Sequence, residues 1–189
     1  MASAADVDVL LLAAGRSNRF GTDDKLLAAL DGRPLVLHAA ATLAKLGARR
    51  LIAACSSDAV AALLGEAGYT IVRNDDPDVG MGRSIALGAA LLPDDGRTLV
   101  ALADMPRVPT GHLVSILSTE APVVASADAG VRSPPALFDA SCKPQLRALS
   151  GDRGARDLIA RAVTIPAPLG SLVDVDTPAM LSRLRAPSG

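Results

Sequence analysis

The segment Leu10-Leu-Leu-Ala-Ala-Gly-Arg-Ser-Asn-Arg-Phe-Gly-Thr-Asp-Asp-Lys25 runs an apolar strand straight into a loop with two glycines, two arginines and a lysine. Gly15 and Gly21 let backbone N–H groups approach a ligand without a Cβ in the way. Successive N–H groups in such a turn form an anion nest, and Arg16, Arg19 and Lys25 add positive charge to it. A triphosphate needs both. The loop is not a Walker A loop, because no Gly-Lys-Ser/Thr follows, and it lacks the Gly-x-Gly-x-x-Gly dinucleotide turn. On chemistry alone, an ordinary solvated loop competes evenly with a phosphate cradle.

Two carboxylates stand where a hard cation could use them. Asp104 follows the apolar run Val100-Ala-Leu-Ala, and Pro106 keeps a helix from starting at once. Magnesium takes one or two carboxylates together with phosphate oxygens and water. The bland alternative for Asp104 is a cap or turn former. In Val173-Asp-Val-Asp-Thr-Pro178, period-two alternation puts Asp174 and Asp176 on one face, with Asp176 next to a helix start. Asp176 reads either as a second metal ligand or as a carboxylate favoured by the helix dipole. Asp174 is the weaker candidate and orients its neighbour at most.

Two further segments carry glycines beside polar groups. In Asn74-Asp-Asp-Pro-Asp-Val-Gly-Met-Gly-Arg-Ser84, close backbone approach at Gly80 and Gly82 suits a flat base, read by backbone groups and Ser84. The acids Asp75, Asp76 and Asp78 would repel a triphosphate and read as surface turn residues. Ser84 reads equally as a helix cap. In Gly151-Asp-Arg-Gly-Ala-Arg156, Arg156 offers a guanidinium fork to an acceptor phosphate. The alternative is a plain Asp152–Arg156 pair across one helical turn, worth only about 0.3–0.5 kcal/mol.

These segments need a scaffold, and the 189 residues supply the pattern of one. Aliphatic runs at 7–13, 51–54, 70–72, 98–103, 123–126, 163–165 and 172–175 alternate with helical spacing. Leu35, Ala39, Leu43 and Leu46 mark one helix face, with Pro34 at its first position and Gly47 at its end. Val60/Leu63/Leu64, Ile85/Ala89/Leu92, Leu113/Ile116/Leu117 and Leu181/Leu184 mark others, and Leu146 and Leu149 share a helix before Gly151. The last of the marked helices is capped by Thr177. Alternation of this kind implies βαβ units and a mostly parallel sheet covered on both faces. The polar segments then collect beyond the carboxyl ends of the strands, where open α/β sheets bind ligands. The Pro-rich stretch 126–141 breaks the alternation and is either a β-hairpin or a loop over the site.

Composition narrows the chemistry. With two Phe, one Tyr and no Trp, the core must be aliphatic. A net charge of −1 and the absence of a basic stripe argue against nucleic acid as a partner. Cys55 and Cys142 lack metal or redox spacing and read as reduced thiols, and His38 and His112 read as packing residues. The start carries Asp rather than a basic secretory n-region, and the run 9–14 is too short to span a bilayer, so the expectation is a cytoplasmic protein without a membrane anchor.

The first loop as a whole resembles the signature of the MobA-like nucleotidyltransferases, met at Leu12, Ala13, Ala14, Gly15, Ser17, Arg19, Phe20, Gly21 and Lys25. The family's Leu-Ala-Asp-x-Pro is met at Leu102 to Pro106, and its Asp-Val-Asp-Thr-Pro at Asp174 to Pro178. Its Asn…Gly-Met-x-x-Ser is met at Asn74, Gly80, Met81 and Ser84, and its Gly-Asp-x-Gly-Ala-Arg at Gly151, Asp152 and Arg156. Within the family, Ala-Ala-Gly followed by Lys-Leu-Leu is most similar to the molybdenum cofactor cytidylyltransferases. The resemblance implies an α/β, Rossmann-like three-layer nucleotide-diphospho-sugar transferase fold with a mostly parallel central sheet, as one domain over 1–189 with 186–189 frayed. It implies magnesium held by Asp104 and Asp176. Residues Leu12 to Ser17, Arg19 and Lys25 would wrap the triphosphate, with Arg19, Lys25 and Asp104 catalytic. Asn74, Gly80, Met81 and Ser84 would form the base and ribose edge, and Gly151, Asp152 and Arg156 the acceptor side.

The implied partners are CTP and a molybdopterin-type acceptor, with handover to a molybdoenzyme or its chaperone. One departure bears on the acceptor: the family's Arg-Gly-His/Asn-Pro reads Arg132-Ser-Pro-Pro here. The rival readings are a guanylyl or other small-acceptor transferase of the same family, and a nucleotide-binding regulator or chaperone without catalysis. The methylerythritol-phosphate cytidylyltransferases fit less well, since their Pro-Lys-Gln is missing.

Overall fold

The computed structural model describes residues 4–15, 20, 24–151 and 154–185. Its first strand, β1 (Val7–Ala13), is buried along its whole length. Around it the chain forms β2 (Ala29–Leu30), β3 (Arg33–Pro34), α1 (Leu35–Ala44), β4 (Arg50–Cys55), α2 (Asp58–Glu66) and β5 (Thr70–Arg73). Next come α3 (Met81–Ala90), β6 (Arg97–Leu102), α4 (Thr110–Leu117), β7 (Val123–Asp128) and β8 (Val131–Phe138). The rest is α5 (Lys143–Arg147), α6 (Gly154–Ile159), β9 (Val163–Pro166) and α7 (Pro178–Arg185).

Seven strands make one sheet in the order β5-β4-β1-β6-β8-β7-β9, while β2 and β3 form a small separate ribbon. Every pair in the large sheet is parallel except those made by β8, which runs antiparallel to β6 and β7. Alternation along β1 divides the core into two layers. Val9 and Leu11 pack with residues of α1, α2, α4 and α7, whereas Leu10 and Leu12 pack with residues of α3, α5 and α6. A Cβ on Gly88 would lie 2.2 Å from Cδ1 of Leu10, so only glycine lets α3 sit this close to β1.

The 126–141 stretch is a hairpin. Asp128 pairs with Val131, and the two residues between them, Ala129 (φ 46°) and Gly130 (φ 82°), are both left-handed, the geometry of a tight two-residue hairpin turn. Further along, Ala125 faces Ala136 and Ser126 faces Ser133, so Pro134 and Pro135 bulge out of the ladder. Neither has an N–H to give a neighbouring strand.

Three sequence expectations change. The run 172–175 is not a strand; among the described residues it is tied by one backbone bond, from Val175 N–H to the Asp104 carbonyl (2.9 Å). Its neighbour is the loop beyond β6, which has left the sheet and presents no ladder. Pro34 sits one position earlier than expected, as the cap residue before α1. The helix expected to hold Leu146 and Leu149 ends at Arg147, and beyond it Gly151 (φ 67°) accepts a bond from Gly82 N–H of α3.

At the sheet edge away from the polar loops, fully buried Asp8 is held by Arg49 through two bonds (Nε–Oδ1 3.0 Å, Nη2–Oδ2 2.7 Å). Lys143, also buried, donates to the carbonyls of Pro93 and Asp95 beside it. This network closes the amino ends of the strands and explains an Asp that the sequence alone reads only as a poor secretory signal.

His38 lies 2.9 Å from the Leu30 carbonyl and buried His112 lies 2.9 Å from Ser126 Oγ, both in packing roles. Both cysteines are buried free thiols, and burial pushes that of Cys55 up to about 11. Among the described residues no helix is long and apolar enough to cross a membrane.

Candidate active site

Parallel register sets Ala13, Cys55 and Leu102 at one edge of the sheet. The segments leaving that edge surround a cavity of about 250 Å³. It is lined by Leu12 to Gly15 at the end of β1, by Gly80, Met81 and Ser84, and by Lys25 and Asp104. Asp24 accepts a bond from Leu26 N–H (3.0 Å), which caps the short turn Lys25–Leu27 and fixes the stem of Lys25.

Lys25 is almost wholly buried, and its ammonium lies between two carboxylates. It donates to Asp104 Oδ2 at 2.7 Å and to Asp176 Oδ1 at 2.8 Å. Residues 79 and 151 positions away along the chain thereby meet at one atom. The backbone bond from Val175 to the Asp104 carbonyl is what carries Asp176 across to this point. Burial lifts the Asp104 carboxyl above the usual range; Lys25 pulls it back only in part, and the nearby charge of Asp174 lifts it further. Lys25 is held above its ordinary value, since the two carboxylates outweigh its own burial.

Asp104 Oδ1 is buried and has no hydrogen-bond partner among the described residues. An unsatisfied buried carboxylate oxygen is costly, and a ligand that claims it removes the cost. Among the described residues the cluster sets the carboxylates of Asp104 and Asp176 around one ammonium. A hard divalent cation takes oxygen ligands, and Asp104 and Asp176 are the carboxylates that would hold one here.

The expected base edge divides into two roles. Ser84 lines the cavity, but Asn74 does not; its fully buried side chain donates to Ser84 Oγ (2.9 Å) and accepts from Asp76 N–H and Arg83 Nε (both 3.2 Å). Asn74 therefore holds the turn in shape. Ser84 is not the cap of α3: Gly80 is, in a left-handed conformation (φ 102°) that favours glycine. Gly82 serves packing rather than approach to a base. Its N–H donates to the Gly151 carbonyl (2.9 Å), and a Cβ would stand 2.6 Å from that oxygen. Asp75, Asp76 and Asp78 are exposed, as surface turn residues should be.

A second cavity, about 590 Å³, adjoins the first and shares Met81 and Leu102 with it. Ile85, Val100 and Phe138 give it an apolar lining, and Arg132, Arg156 and Asp174 supply charge. Of the expected acceptor residues, Arg156 lines this cavity, while Gly151 binds Gly82 instead. Arg16, Ser17, Arg19, Gly21 and Asp152 lie outside the described residues. The hairpin, read from sequence as either a hairpin or a loop over the site, brings Arg132 and the two departures from the family pattern, Ser133 and Pro134, into this lining. Sequence reasoning missed the Gly82–Gly151 contact, which only the fold reveals.

The family of MobA-like NTP transferase domains matches this chain over residues 9–165. The bifunctional protein GlmU of Thiobacillus denitrificans is 37% identical over 127 residues, covering 66% of this chain and 26% of that protein. The chain thus spans about a quarter of the length of the curated relatives it matches. Rv0371c from Mycobacterium tuberculosis H37Rv superposes with a TM-score of 0.82 at 23% identity, over 96% of this chain and 98% of that one. It has also been solved in complex with manganese, where the TM-score is 0.73 at 21% identity, over 95% and 98% of the two chains. Molybdopterin-guanine dinucleotide biosynthesis protein A from Archaeoglobus fulgidus superposes with a TM-score of 0.68 at 18% identity, over 94% and 96%. At such identities the structural likeness is one of fold. The family match spans most of the sequence and all of the first cavity's lining, so this chain belongs to the MobA-like NTP transferase domain family.

Proposed function

We propose that the protein transfers CMP from CTP to a phosphorylated acceptor of molybdopterin type and releases pyrophosphate, with magnesium as cofactor. The observation that carries this reading is the Asp104–Lys25–Asp176 cluster beside two adjoining cavities. In the reaction an acceptor phosphate oxygen attacks the α-phosphorus in line, a new P–O bond forms, and the bond to the β-phosphate breaks. A phosphate nucleophile is already deprotonated near neutral pH, so no general base is required.

The chain's own work is positioning and charge. Arg19, Lys25 and the loop N–H groups hold the β- and γ-phosphates, and the Gly80–Ser84 turn holds the base and ribose. Asp104 and Asp176 would hold a magnesium ion, which would neutralise charge developing on the phosphate oxygens. The manganese complex of Rv0371c supports a divalent ion in this fold. On the other side, the apolar lining of the second cavity suits a flat ring, and Arg132 and Arg156 suit its phosphate. CTP is preferred on the Ala-Ala-Gly and Lys-Leu-Leu strings. A second reading keeps the chemistry and changes the substrates: Ser133 and Pro134, which depart from the family pattern, line the acceptor cavity.

Thermal melts with each of the four ribonucleoside triphosphates and magnesium test the nucleotide. At 100 times Kd, CTP should stabilise the fold by about 2.7 kcal/mol. For a chain of this size that raises Tm by roughly 5–10 °C. A larger shift with GTP would transfer the reading to a guanylyltransferase.

A further inference from the structure

We infer that His112 and Ser126 are positioning residues for the acceptor: hydrogen bonds running from His112 through Ser126 to the Pro135 carbonyl hold the β8 bulge in the shape that lines the second cavity. This rests on the acceptor role proposed above for that cavity and adds the residues that act behind its wall.

The bulge is where the ladder cannot do the holding. Ala125 faces Ala136 and Ser126 faces Ser133, so Pro134 and Pro135 have no opposite residue on β7, and neither carries an N–H. Their carbonyls still need donors. Ser133 Oγ donates to the Pro134 carbonyl (3.0 Å), and Ser126 Oγ donates to the Pro135 carbonyl (2.9 Å). Two serine hydroxyls, one from each strand, thus stand in for ladder bonds.

Proton bookkeeping brings in His112. A carbonyl only accepts, so the single hydroxyl proton of Ser126 is spent on Pro135. Ser126 Oγ must then accept from His112 Nε2, 2.9 Å away, and that nitrogen carries the ring proton. Ser126 is fully buried and His112 nearly so, which makes an unmade bond here costly. His112 belongs to α4, on the sheet face opposite the layer of α3 and α6, so the hold reaches the bulge from behind. On the cavity side the same stretch presents Arg132, Ser133 and Pro134, and Arg132 Nε donates to the Ala162 carbonyl beyond α6 (3.4 Å). A shift of the bulge therefore moves a wall of the acceptor cavity and leaves the nucleotide cavity in place.

Kinetics with CTP, magnesium and molybdopterin, paired with amide hydrogen exchange read by NMR, test this. Ser126→Ala removes the donor to Pro135 and the acceptor of His112 together, and should raise the molybdopterin KM at least about fivefold. The CTP KM and kcat at saturating acceptor should stay near wild type, and exchange should quicken at Arg132 and Ser133 but not along β1. His112→Leu should give a smaller rise, and His112→Gln, whose amide N–H still donates, should return the acceptor KM to wild type. If Ser126→Ala does not fold, the two His112 variants carry the comparison. A lower melting temperature with both KM values unchanged would reduce the contact to stability and overturn the positioning. Failure of wild type to transfer CMP to molybdopterin counts against the acceptor reading alone. Exchange quickened only in the hairpin would then keep the hold on the wall, and exchange unchanged in every folded variant would overturn it.

Discussion

Asp104→Asn is expected to lower kcat about 10²- to 10³-fold, the loss typical of removing one preorganised group that stabilises transition-state charge. The substitution keeps the shape of the side chain and removes its charge. The Val175 bond to the Asp104 carbonyl is backbone and survives, so Asp176 stays in place. Lys25 keeps Asp176 as its partner, and the orphaned Asp104 Oδ1 has little to lose. Melting should therefore change by only a few degrees while turnover collapses. A variant retaining near-normal, divalent-dependent pyrophosphate release would remove Asp104 from the metal site.

Gly82→Ala should have the largest effect on stability. Alanine favours a helix over glycine by about 0.5–1 kcal/mol, which alone would stabilise α3. Against this, the new methyl would lie 2.6 Å from the Gly151 carbonyl oxygen and 3.0 Å from the Ser150 carbonyl carbon. Both are backbone atoms, so no side chain can rotate away. Overpacking of this kind costs about 1–3 kcal/mol and wins. Tm should fall by several degrees, at about 2–4 °C per kcal/mol. Because Gly151 leads toward α6 and Arg156, the acceptor KM should rise more than the nucleotide KM. An unchanged melt together with unchanged kinetics would show that the loops move independently.

Local patterns carried much of this architecture. An apolar run interrupted by Asp8 alone defines β1, the Asp after Val100-Ala-Leu-Ala fixes the loop beyond β6, and Thr177 before Pro178 marks α7, where Thr177 Oγ1 accepts from Met180 N–H (3.2 Å). What was not legible depends on contacts between distant segments. The run at 172–175 has strand composition, yet the segment it meets offers one carbonyl rather than a ladder, and no local pattern reports that. The pairing of Lys25 with both aspartates needs three segments in register across the sheet edge, whereas the loop chemistry pointed only to phosphate. Gly82 reads as a ligand-facing glycine from sequence because its contact, Gly151, lies far along the chain. The second cavity is the hardest case: its lining is shared between α3, the β7–β8 hairpin and α6, and mostly consists of apolar residues that resemble ordinary core.

The central claim is that the two carboxylates and Lys25 serve nucleotidyl transfer across the junction of the cavities. Measuring which phosphate product leaves, with CTP, magnesium and a molybdopterin-type acceptor added singly and together, addresses it most directly. Pyrophosphate should form in step with the nucleotidylated product, only with all three present, and disappear on chelation of the metal. Orthophosphate as the product, or pyrophosphate release unaffected by chelator, would contradict it.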